Sequence, residues 1–282
     1  MIDKTLEQDE IRAAVRERYG RLAAREAPGC CSPEDSCAPP RARMEGKLVQ
    51  MAGYSDEELA VLPGGALAAS FGCGNPLAFS DVHEGQTVLD IGSGAGIDCF
   101  IAARRVGRSG HVIGIDMTRE MLERAGENAR AGGYDNVEFR MGEAEDIPAA
   151  DGSVDWVISN CVINLSPDKP RVFAEIARVL KPGGRFSISD IVASESLPED
   201  IRSSLSAWTG CVAGAISEAE YLEGLRRAGL RDVEVAERVV YDEPTIRSFV
   251  DSCSLPLDDA GVRKIVAEIG GKVWSARIQG RR

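Results

Sequence analysis

Alternating strand and helix patterns between residues 87 and 195 constrain the fold of this chain more than any other feature of its sequence. Five short apolar runs typical of buried strands are separated by segments with helical periodicity. The runs are TVLDIG, HVIGIDM, VEFRMG, VDWVISN and GRFSISDIV. Strands that alternate with helices at this spacing require right-handed crossovers, so they predict a mostly parallel sheet that is covered by helices on both faces.

The segments on either side have weaker patterns. Residues 4–26 are predicted to form one amphipathic helix, followed by a Pro- and Gly-rich loop that contains three cysteines. Ser55 and Glu58 have the spacing of a capping box and predict a short helix at 55–61. After residue 195, helical patterns flank the strand-like VEVAERVVY, and KVWSARIQG is predicted to add a late edge strand. We therefore expect an N-terminal extension (1–70), a central α/β domain (71–195) and a smaller C-terminal α+β region (196–282).

A glycine-rich loop follows the first predicted strand, with the sequence DIGSGAG at residues 90–96. Glycine at positions 92, 94 and 96 permits positive φ angles and lets the backbone approach a ligand closely. Because a helix is predicted to follow, the loop N–H groups would face the carboxyl edge of the sheet, where ligands bind. A dinucleotide motif requires a further glycine where this chain has Ile97, which disfavours pyrophosphate as the ligand.

Acidic residues end two of the predicted strands. Asp116 closes the second strand, where a carboxylate can accept hydrogen bonds from both hydroxyls of a ribose. The order of strand, glycine loop, helix, strand and terminal acid favours a ligand site over a merely structural turn. Asp190, at the end of the fifth predicted strand, could approach the same edge or could serve at the surface or as a cap.

The net charge of the chain argues against nucleic acids and anionic membranes as partners. With 45 acidic and 33 basic residues, the formal charge is −12. Nucleic acids and anionic membranes would repel such a chain, and its basic residues are interleaved with acidic ones, so we expect neither partner. The N-terminus does not resemble a signal peptide and no run reaches the length of a membrane span. We therefore expect a cytoplasmic protein whose cysteines are largely reduced.

These motifs resemble those of class I methyltransferases that use S-adenosylmethionine. The segments at 142–148, 159–162 and 180–184 are also similar to that family. The resemblance implies an α/β fold with a doubly wound, mostly parallel seven-stranded sheet, in which residues 71–195 bind S-adenosylmethionine. The cofactor contacts that it implies are Asp90, Gly92, Ser93, Gly94, Gly96, Asp116, Met117, Ala144, Glu145, Asn160 and Val162.

Three of the eight cysteines stand in contexts that suit a ligand site. Cys161 is predicted at the carboxyl end of a central strand, and Cys73 and Cys211 stand among small residues. Any one of them alone would more often be a packing residue, and to Cys99 and Cys253 we assign no site role. The wide separation of the three excludes a local zinc knuckle, so only the fold could bring them together. Soft thiolates and only two histidines favour a thiophilic centre such as arsenic(III), zinc or copper(I).

The segments around these cysteines resemble arsenite methyltransferases: GCGNP at 72–76, NCVINL at 160–165 and GCVAG at 210–214. The resemblance covers nearly the whole chain from about residue 25. It implies that Cys73, Cys161 and Cys211 bind arsenic(III), and that Cys30 or Cys31 is an additional redox cysteine. It further implies methylation of arsenite or its thiol conjugates for arsenic detoxification, with thioredoxin or small thiols as the reductant.

Two other functions fit parts of the same pattern. A C-methyltransferase that acts on a quinone or a sterol would share the sheet and the glycine loop, but it would need a large apolar acceptor pocket. A thiol-rich protein that binds a metalloid without turnover would account for the cysteines but would release no methylated product. An oxygen or carbon acceptor must lose a proton, and the chain offers few histidines for that task.

Overall fold

The computed structural model describes residues 8–23, 54, 62–63, 74–77, 80–195, 197, 202, 213–241, 243–244, 246–247, 262–263, 266–267 and 269–282. Cys99 and Cys161 are the two cysteines within these ranges. The predicted helix at 55–61 lies outside them, as do Cys30, Cys31, Cys37, Cys73, Cys211 and Cys253. The boundaries proposed at residues 70 and 195 stay a prediction.

The described residues fold around a seven-stranded sheet. Its strands are β1 (Thr87–Ile91), β2 (His111–Asp116), β3 (Val137–Met141), β4 (Val154–Asn160), β5 (Leu180–Ala193), β6 (Arg231–Val240) and β7 (Val273–Arg281). They lie in the order β3-β2-β1-β4-β5-β7-β6. Strands β1 to β5 are parallel, whereas β7 is antiparallel to both of its neighbours. The predicted doubly wound, mostly parallel seven-stranded sheet is therefore confirmed.

The helices are α1 (Gln8–Ala23), α2 (Ile97–Val106), α3 (Arg119–Gly132), the 3₁₀ helix Ile163–Leu165, α4 (Lys169–Val179) and α5 (Glu218–Arg227). Of these, α2, α3 and α4 connect parallel strands, as the sequence pattern predicts. Ser217 and Glu220 form a capping box that satisfies the first N–H groups of α5. None of the helices in the described ranges is both long and apolar enough to cross a membrane.

The core of the molecule lies on both faces of the sheet. On one face, Leu89 belongs to a buried cluster with Phe173 of α4 and Tyr221 of α5. On the other face, Val88 belongs to a cluster with Phe100 of α2. Because both faces are buried, the central strands need apolar side chains in both directions, which is why they appear in the sequence as nearly continuous apolar runs.

The predicted position of the last strand is wrong. Strand β7, predicted at an edge, lies between β5 and β6, and β6 is the edge strand. The side chains explain this order. Ala276 and Ile278 of β7 are fully buried, whereas β6 exposes charged residues such as Glu237 and Arg238. Charged side chains on an edge strand also discourage pairing with another chain.

Candidate active site

A crevice opens at the carboxyl ends of β1, β2 and β4, which is the edge where open α/β sheets bind ligands. It contains about 1070 Å³ of empty space, part of which is open to solvent. Many of the residues predicted from the sequence line this crevice: Gly92, Ser93, Gly94, Asp116, Met117, Ala144, Glu145, Asn160, Cys161 and Val162. Residues from distant parts of the sequence thus share one cavity.

The glycine loop between β1 and α2 is fixed by the neighbouring strand. The N–H groups of Gly92 and Ser93 donate to the carbonyl oxygen of Ile115, at 2.8 and 2.9 Å. Gly92 and Gly94 have φ angles of 73° and 50°, which few residues other than glycine adopt. A Cβ on Gly92 would lie 2.2 Å from Cγ2 of Val162, whereas a Cβ on Gly94 would meet nothing within 4 Å. Gly92 is therefore required by packing, and Gly94 leaves room for a ligand.

Two polar groups in the crevice suit a nucleoside ligand such as S-adenosylmethionine. The Ser93 side chain is buried, and its hydroxyl has no hydrogen-bond partner among the described residues. A buried hydroxyl without a partner is costly, so a ligand atom there would stabilise the protein. Asp116 accepts hydrogen bonds from the backbone N–H groups of Gly94 (3.0 Å) and Thr118 (2.8 Å). Because a carboxylate can accept about four hydrogen bonds, capacity remains for ribose hydroxyls.

Burial has the largest effect on the Asp116 carboxyl and raises its pKa above the ordinary value. The two backbone N–H groups that it accepts from oppose this rise, because they stabilise the charged form. The carboxylate is thus held in a desolvated position by its own loop. A carboxylate in this position can accept charge-assisted hydrogen bonds that are stronger than those of an exposed acid.

Asp90 and Gly96 lie beneath the loop and are not among the residues that line the crevice. Asp90 is buried and accepts a hydrogen bond from Sγ of Cys99 at 3.3 Å. Burial raises the pKa of Asp90 well above its ordinary range, and the nearby Asp98 adds to the rise. A Cβ on Gly96 would lie 2.7 Å from the ring of Phe100. A direct contact of Asp90 or Gly96 with a cofactor stays a prediction, whereas the packing role of Cys99 is confirmed.

A hydrogen-bonded group beside the crevice was not predicted from the sequence. Tyr54 donates to Oδ1 of Asp98 at 2.8 Å, and the side-chain amide of Asn160 donates to Oδ2 of Asp98 at 3.2 Å. Burial raises the pKa of Tyr54 well above its ordinary value, so its hydroxyl stays protonated and donates. Asn160 also binds the backbone of Gly74 twice, by accepting from its N–H at 3.2 Å and donating to its carbonyl oxygen at 2.6 Å. The sequence does carry one signal for Asp98, because it is an acidic residue in the first turn of the helix after the glycine loop.

The N-terminal helix forms another wall that the sequence did not reveal. Arg12, Val15 and Tyr19 of α1 line the crevice. Arg12 reaches Oε1 of Glu145 at 3.4 Å, and Arg16 donates to Oε1 of Glu143 at 3.0 Å. Helix α1 therefore closes the crevice against the loop that connects β3 to β4. The sequence predicted this helix but gave it no role in the site.

Cys161 occupies a strained position directly after β4. Its φ angle is 58°, a conformation that is uncommon outside glycine and that often marks a functional site. Its N–H donates to the carbonyl oxygen of Ser189 at 2.8 Å, and its side chain is almost fully buried. Cys161 is disulfide-bonded.

The predicted meeting of Cys73, Cys161 and Cys211 stays a prediction, because two of these residues lie outside the described ranges. Within those ranges, no three His, Cys, Asp or Glu side chains are grouped so that they could hold a metal ion. His111 is partly exposed and lies 3.3 Å from Glu138, so it has no part in the crevice. Within the described ranges, the crevice therefore brings together the glycine loop, Asp116 and Cys161.

Comparison with known proteins assigns this site to a family. The sequence profile of a methyltransferase domain family matches residues 82–229, which is more than half of the chain. The chain belongs to this methyltransferase domain family. Its sheet order and flanking helices are those of class I S-adenosylmethionine-dependent methyltransferases.

The most similar relatives of this methyltransferase domain include two arsenite methyltransferases. The protein from Halobacterium salinarum is 45% identical over 244 residues, which are 84% of this chain and 61% of the relative. The protein from Aquipseudomonas alcaligenes is 42% identical over 192 residues, which are 66% of this chain and 53% of the relative. The chain thus spans less than two thirds of the length of these two relatives.

A solved structure gives a similar result. The X-ray crystal structure of an arsenic(III) S-adenosylmethionine methyltransferase from Chlamydomonas reinhardtii superimposes with a TM-score of 0.63 at 34% identity. The superposition covers 87% of this chain and 74% of the Chlamydomonas protein. The similarity to arsenic methyltransferases therefore extends well beyond the region that the methyltransferase profile matches.

Proposed function

We propose that this chain transfers a methyl group from S-adenosylmethionine to trivalent arsenic that is held by cysteine thiolates. The observation that carries the proposal is the position of Cys161, a strained cysteine that lines the same crevice as the glycine loop and Asp116. Two relatives named as arsenite methyltransferases and a solved arsenic(III) methyltransferase support it.

Several residues that line the crevice support S-adenosylmethionine as its ligand. We assign Asp116 to the ribose hydroxyls, Ser93 and Gly94 to the surface beneath the cofactor, and Met117 and Ala144 to the adenine ring. Ser93 contributes an unpaired hydroxyl, and Gly94 leaves the open space that a Cβ would fill. When bound, S-adenosylmethionine would supply an electrophilic methyl group on its sulfonium.

The neighbours of Cys73 and Cys211 in the sequence support a common thiol site. The side chain of Asn160, the residue before Cys161, is hydrogen-bonded to both the N–H and the carbonyl oxygen of Gly74. Ala213 belongs to the same buried cluster as Cys161. Position 73 directly precedes Gly74 and position 211 precedes Ala213 by two residues, and consecutive Cα atoms are about 3.8 Å apart. The proposal therefore requires only short connections from described contacts to the thiols.

Thiolates suit arsenic because sulfur ligands are soft. Three thiolates that replace the hydroxyls of arsenous acid would fix a pyramidal arsenic with its lone pair directed at the methyl donor. No proton has to leave the acceptor, so no general base is needed. In-line alignment at near-attack distance would supply most of the rate enhancement, on the order of 7–11 kcal/mol.

Repeated methylation would need a source of electrons. Transfer of a methyl cation to the arsenic lone pair formally oxidises arsenic(III) to arsenic(V). Two thiolates that join in a disulfide return two electrons and restore arsenic(III). By the family resemblance, Cys73 would pair with Cys30 or Cys31, and thioredoxin or small thiols would reduce the disulfide. Because Cys161 is itself disulfide-bonded here, we expect arsenic binding only after reduction.

A product assay tests the proposal. Reduced protein is incubated with arsenite, a thiol and S-adenosylmethionine, and methylated arsenicals are separated by chromatography with element-specific detection. We expect product from the wild type and from the control Cys253→Ser, and a loss of about a hundredfold or more in Cys161→Ser and Cys211→Ser. The affinity for S-adenosylhomocysteine should be retained in both.

Other outcomes would overturn the proposal. Arsenic capture without any methylated product would indicate a metalloid-binding protein, and full activity of both site variants would refute the cysteine assignment. If the protein neither captures arsenic nor forms a methylated arsenical, a C-methyltransferase with a quinone or sterol acceptor would be favoured.

A further inference from the structure

A line of buried polar residues runs from helix α5 to the crevice, behind the segment that contains Cys161. Asp190 on β5 is fully buried and lies at the centre of this line. Its Oδ2 accepts from the hydroxyl of Tyr221 at 3.2 Å and from the backbone N–H of Asn164 at 3.1 Å. Its Oδ1 accepts from the N–H of Ile191 at 3.0 Å. The carboxyl group therefore joins α5 to the 3₁₀ helix that follows Cys161.

The surface role considered for Asp190 is wrong, and its position is closer to that of a cap. Burial raises the pKa of Asp190 to about 7, while the positive charge of Lys169 on α4 and three hydrogen bonds oppose the rise. Lys169 and Tyr221 are the titratable groups that face Asp190 from the helices packed against it. The Asn164 side chain adds a second connection, because it donates to the carbonyl oxygen of Ile191 at 2.6 Å.

The line continues from Lys169 to the cofactor side of the crevice. Lys169 is buried, and its ammonium group donates to the carbonyl oxygen of Ser166 at 3.1 Å. The hydroxyl of Ser166 donates to Oε1 of Glu145 at 2.7 Å. Arg171 donates to the carbonyl oxygen of Glu145 at 2.7 Å. The position of Glu145 in the crevice is thus set by the segment after β4.

We propose that Asp190 and Tyr221 are positioning residues for methyl transfer: they fix the backbone from Cys161 to Ser166, and through Ser166 they couple the acceptor thiol to Glu145 at the cofactor end. The methyl transfer in this inference rests on the proposed function. The coupling itself concerns only Cys161 and Glu145 of this chain. Buried charges and hydroxyls are costly unless they are fully paired, so such a group is a poor way merely to fill a core. An apolar pair of similar size would pack as well.

The test removes one hydroxyl from the line. Tyr221→Phe keeps the ring, which lies 5.1 Å from Phe173, and deletes only the donor to Asp190. Tyr134→Phe is the matched control, since Tyr134 stacks on Phe100 away from the line. In the reduced protein, the rate at which iodoacetamide alkylates Cys161 is measured by mass spectrometry, with and without S-adenosylhomocysteine.

We expect S-adenosylhomocysteine to change this rate about fivefold or more in the wild type and in Tyr134→Phe, and to have little effect in Tyr221→Phe. For methyl transfer, kcat of Tyr221→Phe should fall about tenfold while KM for S-adenosylmethionine stays within about twofold. Asp190→Asn is the second variant, because its amide would direct a donor either at the Tyr221 hydroxyl and the Asn164 N–H or at the Ile191 N–H, and it should give the same pattern.

The inference is overturned if Tyr221→Phe and Asp190→Asn keep the wild-type response, or if the wild type shows no response to S-adenosylhomocysteine. The two proposals fail separately. A wild type that forms no methylated arsenic but still shows the coupled alkylation would refute the proposed acceptor and leave the positioning role in place.

Discussion

The glycine loop and the segment from Cys161 to Ser166 face each other across the crevice, but different interactions fix their backbones. The loop is held by main-chain hydrogen bonds to Ile115 of the adjacent strand, and its positive φ angles fall on glycines. The opposite segment begins with a positive φ at a cysteine and is held by side chains from β5, α4 and α5. A contiguous motif thus builds one wall, and residues distant in sequence build the other.

The largest expected effect lies where the two walls touch. Gly92→Ala would place a Cβ within 2.2 Å of Cγ2 of Val162 and would keep a φ of 73° that alanine disfavours. We expect it to lower the free energy of unfolding by about 2–5 kcal/mol and to weaken S-adenosylhomocysteine binding. Urea unfolding and isothermal titration calorimetry measure the two effects.

Gly94→Ala is the matched control for this substitution. Its φ is also positive, but its Cβ would point into open space, so only about 1–2 kcal/mol of stability should be lost. Equal losses in the two variants would show that contact between the walls is unimportant.

Asp190→Asn tests the wall that is built from distant residues. In the wild type, the pKa of Asp190 is raised from 3.8 to about 7, so the folded state favours the protonated form. Stability should therefore fall as pH rises from about 4 to about 7 and should then level off. The variant has no such carboxyl, so its stability relative to the wild type should rise by roughly 2–4 kcal/mol over this range. A difference that is constant with pH, measured by urea unfolding, would contradict the assignment.

Asp116→Asn tests the wall that is built from the contiguous motif. The amide can accept only on one side and would direct a donor at the N–H of Gly94 or of Thr118, where the carboxylate accepts from both. We expect a loss of about 1–3 kcal/mol in stability and at least a tenfold weaker affinity for S-adenosylhomocysteine. Calorimetry that finds unchanged affinity would count against the ribose contact.

The smallest expected effect concerns the N-terminal helix. Arg16 and Glu143 form an ion pair of 3.0 Å, but both side chains are substantially exposed. Arg16→Ala should therefore cost less than about 1 kcal/mol, and the loss should shrink further in high salt. A larger loss that persists in high salt would mean that α1 depends on this pair more than its exposure suggests.

The contrast between the walls also explains what the sequence could predict. The glycine loop, Asp116 and the strand that ends at Asn160 have local signatures, and all of them lie at the predicted edge of the sheet. Tyr54 binds Asp98 across 44 positions of the chain, and Tyr221 binds Asp190 across 31. No local pattern reports such pairs, because the partners meet only after the sheet has formed.

The order of the last strands was unpredictable for a related reason. Both β6 and β7 have strand-like sequences, and their neighbours depend on which of them buries more apolar surface against β5. Ile278 is fully buried in β7, whereas Val240 at the end of β6 is 59% exposed. Pattern predicts that a strand exists, and competition for the core decides where it lies.

The central claim, that thiols from distant segments hold one arsenic atom beside the methyl donor site, is tested most directly by arsenic X-ray absorption spectroscopy. The sample is the reduced protein with equimolar arsenite and S-adenosylhomocysteine, compared with Cys161→Ser and with Cys253→Ser as the control. We predict three sulfur neighbours per arsenic in the wild type and in the control, and fewer in Cys161→Ser. A shell of oxygen neighbours in the wild type, or the same sulfur count in Cys161→Ser, would contradict the claim.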